Sequence, residues 1–385
     1  MRKIMIKRAL LFFLMIMFLS IAGCVKDTYN MSMLSKQTHL SPNMAISAVK
    51  GSFSLKDIVK TNDTILFDQN NLLTFVFKKD SFVDLKLADF VKGLVIQKTA
   101  VIPPDKIDVN LGDILSHITG SFKILNPSVK FNYTNSFPDS VQIDLNIIGT
   151  RNNQSVNLNL VPFRVKGPKL PGQQEISSTF TIDKTNSNLP DLFSLPPEVI
   201  NFSGTVTLSY SSKNSQVENA IGANHLTGSL DIEIPMELEM TNLQFADTVD
   251  NFLKEDSNSN NPINPEDFQL LQVNIIADNG FPVGVSLKMS LYDSSTRLIK
   301  NTVSTGSILT PAPVDSNGKV TGTTQSTATI ELTKDFFGSV SKADKIIFWL
   351  TLNTTGNGSK DVKIYSDYTF DFRAALVVKP DIKLN

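Results

Sequence analysis

The chain is poor in the residues that most enzyme chemistry relies on. Its 385 residues include one cysteine, one tryptophan and three histidines. A lone cysteine, Cys24, excludes an intramolecular disulfide and any cysteine-built metal site. His39, His117 and His225 do not supply a histidine triad or a multi-histidine metal centre, and each reads as an ordinary surface residue. No Gly-x-Ser-x-Gly elbow, His-Glu-x-x-His helix, Walker loop or dinucleotide glycine fingerprint occurs. Charge of one sign is missing as well, with 36 basic against 37 acidic side chains. That balance leaves no basic footprint for nucleic acid, so no nucleic-acid partner is expected. Long apolar runs are also lacking. The best one, from Ala9 to about Ile21, stops short of the roughly 20 residues that a stable membrane span needs.

What stands around that run is informative. Arg2, Lys3, Lys7 and Arg8 precede it, and Ser20, Ile21, Ala22, Gly23 and Cys24 close it, which is the composition of a secretory signal. Ile21-Ala22-Gly23-Cys24 resembles the lipobox of bacterial lipoproteins, an aliphatic residue and two small residues before a cysteine. The resemblance implies cleavage between Gly23 and Cys24 and a diacylglycerol on the Cys24 thiol, a nucleophile that serine does not replace. Several acyl chains hold a protein on a membrane far more firmly than one, so the membrane is an expected partner through the N-terminal lipid. Removing residues 1–23 leaves 32 basic against 37 acidic side chains, a formal charge of −5. Val25 after the cysteine, in place of the Asp that marks inner-membrane retention in the enterobacterial pattern, favours the outer membrane. Either face of it is possible.

From Val25 to about Val49 the chain is polar and aperiodic, which suits a tether. Beyond it, short alternating strands are punctuated by Asn, Asp, Gly, Ser and Pro. Thr64–Phe67, Leu72–Phe77 and Val83–Leu87 read as a three-stranded meander, with turns at 68–71 and 78–81. The clearest strand is Leu230–Met240, with six apolar residues alternating against Asp231, Glu233, Pro235, Glu237 and Glu239. Pro235 cannot donate to a ladder, so this strand lies at an edge or bends there. Period-two patterns recur at Val141–Ile147, Val156–Leu160, Val206–Tyr210, Val285–Leu291, Ala328–Leu332, Ile346–Leu352 and Tyr368–Phe372. Helical signals are confined to Ser54–Val59, Leu111–Ile118 and Asp247–Glu255.

The chain also resembles itself. Val129 to Leu145 aligns without gaps on Val273 to Met289, and each copy reads strand, Asn-x-Phe-Pro turn, strand. In each copy Asn suits a left-handed turn, Pro stops the strand and Phe plugs the end of a sandwich. The fold expected is mainly β, with tandem antiparallel sandwich-like modules. The organisation that follows is a signal peptide over 1–23, a lipidated tether over 24–49, a meander over 50–105, and modules over 106–229 and 230–385. The segment Phe122–Leu160 is faintly similar to the late-embryogenesis-abundant type 2 sandwich. The lipobox, the meander and the closing Val362–Phe370 strand resemble uncharacterised Bacteroidota cell-surface lipoproteins.

One segment has ligand spacing. Asp256, Asn258, Asn260 and Asp267 fall at positions one, three, five and twelve of a calcium-loop-like window, where alternating oxygens converge on a hard cation. Asn261, Pro262 and Pro265 depart from that pattern, and a solvated Asn/Ser/Pro loop explains the same residues. Trp349 sits in the apolar run Ile346–Leu352 and reads as core, and the 25 phenylalanines read as core rather than as a sugar platform. The function expected is a non-enzymatic binding or structural lipoprotein of the cell envelope, with other envelope proteins as possible partners. The alternatives are a hydrolase using paired carboxylates, or a lipid-binding protein with an apolar tunnel.

Overall fold

Strand makes up 66% of the described residues and helix 7%, so the mainly β class read from the alternating segments holds. The computed structural model describes residues 38–40, 44–92, 95–96, 99–109, 119–137, 140–168, 175–208, 224–251, 268–340, 342–380 and 382–384. Sixteen of its strands build the architecture. In chain order they begin with β1 (Met44–Ser54), β2 (Leu73–Lys86), β3 (Thr99–Asp108), β4 (Ser128–Asn135), β5 (Val141–Arg151) and β6 (Gln154–Asn157). Next come β7 (Ile176–Ile182), β8 (Val199–Leu208), β9 (His225–Pro235), β10 (Glu237–Asp250) and β11 (Phe268–Asn279). The last five are β12 (Val283–Asp293), β13 (Leu298–Leu309), β14 (Thr324–Thr333), β15 (Lys345–Thr354) and β16 (Thr369–Pro380). Helices are short: α1 (Leu55–Ile58), α2 (Leu189–Ser194) and α3 (Lys334–Val340).

These strands form one sandwich twice. In the first, sheet order β7-β4-β9-β2 faces β6-β5-β8-β3; in the second, β14-β11-β16-β1 faces β13-β12-β15-β10. Replacing each strand of the first set by its counterpart in the second preserves chain order, and α2 and α3 both precede the equivalent strands β8 and β15. Register agrees too. Leu226 faces Asn135 and Ile232 faces Val129; at the equivalent positions of the second copy, Phe370 faces Asn279 and Leu376 faces Val273. Val141 faces Leu208 as Val285 faces Leu352, and Asp105 faces Phe202 as Val249 faces Ile346. The outer pairs slip: Ile182 faces Val129, whereas Val273 faces Ile330 rather than Ser326, and Ile148 faces Asn157, whereas Tyr292 faces Ile299 rather than Asn301. A one-residue slip turns a whole strand inside out, so register shared by three strand pairs marks a duplicated fold rather than a coincidence of turn residues.

The Asn-x-Phe-Pro turns are the corners at which the chain crosses between facing sheets. Asn135 Oδ1 accepts the Phe137 amide at 2.9 Å, and Asn279 Oδ1 accepts the Phe281 amide at 2.9 Å. Asn135 Nδ2 donates to the Lys166 carbonyl, and Asn279 Nδ2 to the carbonyls of Val283 and Thr310. Both asparagines are buried. Neither has the positive φ anticipated for it; the residue is selected for its side-chain amide, which satisfies backbone that the corner strips of ladder partners. Phe137 plugs the first sandwich as anticipated, edge-on to Phe90 at 5.7 Å.

The sandwiches are nested rather than strung in tandem. β1 pairs with β16 over Met44–Ser54, and the whole first sandwich lies in the chain between β1 and β10. The tether expected to reach Val49 is therefore already strand at Thr38–Leu40, which pairs with Ile382–Leu384, and again from Met44, because the C-terminal strands offer edges that local composition does not reveal. The meander does not stand as a unit either. Leu72–Phe77 and Val83–Leu87 are parts of the single strand β2, bulged where Lys79 and Val83 pair with Leu230 and Gly228. Ser81, at φ 52°, carries the bulge, so the turn-like composition bends a strand instead of reversing it. The expected boundary at 229/230 falls inside β9. The bend offered for Pro235 is what occurs: β9 runs between β4 and β2, and after Pro235 the chain enters β10 of the other sandwich. Asp247–Asp250, expected as helix, completes β10 against β15. Residues 111–118 and 209–210 lie outside the described residues.

Candidate functional site

The duplication supplies an internal control for any opening, because equivalent positions share one backbone template. In the first sandwich the side between β2 and β3 is sealed. The β2 bulge sends Phe82 inward, edge-on to Phe202 at 5.5 Å and to Phe131 at 6.1 Å. Lys79 reaches across to Asp105 at 2.7 Å, and β2 packs on β3. Gly228 leaves room for Phe131, whose ring a Cβ would meet at 2.6 Å. Leu85, Val206, Leu230 and Ile232 are all buried behind this seal.

Among the described residues, the equivalent side of the second sandwich is open. β1 and β10, counterparts of β2 and β3, make no comparable contact. Phe53 occupies the place of Leu85, facing the equivalent residue across the ladder. It is 42% exposed where Leu85 is 7%. Leu350, the counterpart of the fully buried Val206, is 38% exposed. Met44 and Val49, which face Val378 and Ala374 on the inner side of β1, are 46% and 54% exposed. Side chains differ along this side: the copies carry Tyr133 against Ala277, Leu230 against Ala374 and Phe131 against Ile275, smaller in the second, and Gly228 against Phe372 and Leu226 against Phe370, larger in the second, while the second has no counterpart of Phe82 on this wall. Along the inner wall Phe53, Phe372 and Phe370 stack, with neighbouring centroids 5.9 and 5.8 Å apart. The core that remains is a small cluster around Leu291, Phe336 and Ile346 beneath α3.

This slot adjoins an apolar space at the junction of the sandwiches. A cavity of about 200 Å³ is lined by apolar side chains alone, among them Phe75, Phe193, Met240, Phe245 and Leu352. Phe245 is the register partner of Leu350, so the slot wall runs directly into the cavity wall.

The comparisons with known proteins fit this architecture. No family model matches the chain, and no curated protein matches it. A crystal structure of a Parabacteroides distasonis protein assigned as secreted aligns over 88% of this chain and 99% of that one, with a TM-score of 0.50 and 15% identity. The chain shares that fold. At so low an identity the likeness concerns fold alone. The capsid protein VP2 of infectious bursal disease virus aligns over 83% of this chain and 74% of its own, at 6% identity and a TM-score of 0.18, too low to inform the fold.

The other candidate sites fare differently. Cys24, Gly23 and the calcium-loop residues Asp256, Asn258, Asn260 and Asp267 lie outside the described residues. Among the described residues no cluster of three or more His, Cys, Asp or Glu is placed to hold a metal, and no helix is long and apolar enough to cross a membrane. His225 Nδ1 lies 3.3 Å from the Ser136 hydroxyl at a corner of the first sandwich. Trp349, expected in the core, stands on the outer face of β15 instead. Its ring lies 5.8 Å from the Lys288 ammonium, because the inward positions of that strand are Ile346, Phe348 and Leu350.

Two polar grooves run along the outer face of the β4-β9-β2 sheet. One, of about 570 Å³, includes Asp84, Asn132, Thr134 and Ser177; the other, of about 620 Å³, includes Asp231, Glu233, Glu237 and Lys363. Their polar groups bond one another. Thr179 donates to Asn132, Asn132 to Asp231, Lys130 to Glu233, and Lys363 pairs with Glu237. These faces read as solvated sheet surface. One carboxylate pair meets half of the requirement for acid–base chemistry. A hydrogen bond to Asp361, with burial, holds the Glu239 carboxyl above its ordinary value, opposed by the nearby Lys123. Neither carboxylate lines either groove or the cavity. Sequence reading missed the slot, because its signal is a mismatch between equivalent positions of two copies and needs the full register to be seen.

Proposed function

We propose that this chain is a non-enzymatic binding lipoprotein of a bacterial outer membrane, held by acyl chains on Cys24 and binding its partner through the open side of the second sandwich. One observation carries the binding role: the same sandwich occurs twice in one register, sealed in the first copy and open along an apolar wall in the second. Contiguous apolar surface left in water is costly, and where it is retained it marks a binding surface. The first sandwich, with its polar side chains bonded to each other, is the scaffold. The lipobox residues Ile21, Ala22, Gly23 and Cys24 support anchoring. The fold shared with a protein assigned as secreted agrees with a place in the envelope.

Cells fed radioactive palmitate test the anchor. The parent chain takes up label and loses the segment that precedes Cys24, while Cys24→Ser takes up none and keeps the longer precursor form. Label retained in Cys24→Ser contradicts the proposal.

A further inference from the structure

We infer that the slot between β1 and β10 takes a single unbranched acyl chain, whose tail runs towards the apolar cavity at Phe245 and whose head group stays in water. This rests on the binding role just proposed and names the chemistry of the ligand.

The geometry selects a rod. Packed sheets stand about 10 Å apart, and that gap holds one layer of interdigitated side chains. What the second sandwich lacks is part of such a layer, namely the Phe82 ring and the bulk of Tyr133 and Leu230. A ligand replacing it has to be one side chain thick and extended along the strands. A peptide strand does not fit this description. It would pair with the free edge of β1 rather than enter between the sheets, and its own side chains project from both faces. The walls are Met44, Val49 and Phe53 on β1 and Leu350 with Phe245 opposite, which match a hydrocarbon and nothing charged. The charged residue on the inner side of β10, Asp247, is exposed and faces Phe348. At the far end the cavity of about 200 Å³ has only apolar lining, the kind of space that stays dry and accepts hydrocarbon.

Length is part of the inference. From Met44 to Phe53 the wall covers nine residue steps, on the order of 30 Å of extended strand. A chain laid along it gains with every methylene, so affinity should rise on the order of fourfold per added carbon until the slot is full. A globular apolar ligand shows no such series.

The test uses residues 24–385 with Cys24→Ser, which removes only the signal segment and the lipidated thiol. Sodium hexadecanoate is titrated calorimetrically, with dodecanoate and a sixteen-carbon lysophospholipid as further arms; whichever head group binds identifies the source of the chain. Leu350→Glu puts charge into the slot at an already exposed position, and Ala374→Leu restores the residue that the sealed copy carries at Leu230. Val101→Glu, on an exposed residue of β3, controls for nonspecific adsorption. The expected result is one saturable site, weakened at least tenfold by Leu350→Glu and by Ala374→Leu, unchanged by Val101→Glu, and tighter for sixteen carbons than for twelve. Thermal melts confirm that each variant is folded. No saturable binding by the parent, no dependence on chain length, or equal loss in Leu350→Glu and Val101→Glu overturns the inference. A dimer that Leu350→Glu dissociates, with no acyl binding, also overturns it and makes a second copy the occupant; the slot would then remain a binding site.

Discussion

Phe82 packs edge-on against Phe202 with ring centroids 5.5 Å apart, and this contact separates the sealed sandwich from the open one. Phe82 reaches that place because β2 bulges at Ser81, so a local backbone irregularity decides the state of a whole interior. Phe82→Ala should destabilise the protein by about 3–5 kcal/mol, the usual cost of emptying a large buried aromatic site. Chemical denaturation measures it, and a loss under about 1 kcal/mol would show that Phe82 is not the seal.

Asn135 and Asn279 hold equivalent corners, each buried and each accepting the amide of a phenylalanine two residues on. Replacing either by Ala leaves a buried N–H without its acceptor, which costs about 1–3 kcal/mol. Melting curves of Asn135→Ala and Asn279→Ala should both shift downward. An unchanged curve for either would mean that its corner is not the same structural device.

Burial pushes the Tyr368 phenol from 10.0 up to about 12, and its oxygen accepts the Val320 amide at 2.9 Å. The folded chain keeps this proton where the unfolded chain has lost it. The stabilisation is therefore complete below about pH 10 and is lost as pH rises towards 12. Ultraviolet titration should show one late tyrosine, absent from Tyr368→Phe. Denaturation between pH 9 and pH 11 should show a shallower fall in that variant than in the parent.

Glu239 has the opposite consequence at neutral pH. Its pKa is raised chiefly by the hydrogen bond to Asp361, then by burial. The contribution to stability is thus present below the ordinary carboxylate value of 4.5 and is lost as pH rises through the raised one. Glu239→Gln keeps a donor towards Asp361 at every pH, so it should stabilise the protein at pH 7 and flatten the dependence on pH above 4.5. A variant less stable than the parent at pH 7 contradicts this account.

Much of this fold was legible from period-two alternation. Val141–Ile147 and Leu230–Ile234 lie on strands with their apolar residues inward, because each strand buries one face. The repeat was legible in one corner only, where burial and hydrogen bonding fix Asn and Phe at both 135–137 and 279–281. Elsewhere the copies share register without sharing residues, since a sandwich interior tolerates any apolar side chain of suitable volume. What sequence did not yield was nesting and openness. The pairing of β1 with β16 joins segments from opposite ends of the described chain. An exposed Leu350 looks the same in a sequence as a buried Val206. Trp349 was misplaced because Ile346-Ile347-Phe348-Trp349 is apolar on both faces, which hides the direction of alternation.

The most direct test of the open second sandwich compares two equivalent positions in one molecule. With Cys24 replaced by Ser the chain has no thiol, so Leu350→Cys and Val206→Cys each introduce a single reporter at the same place in the two copies. The rate of modification by a maleimide under native conditions then reads access to each interior. The account predicts that Leu350→Cys reacts more than about tenfold faster than Val206→Cys, and that hexadecanoate slows Leu350→Cys alone. Equal rates at the two positions would show that the second sandwich is closed like the first and would contradict the account.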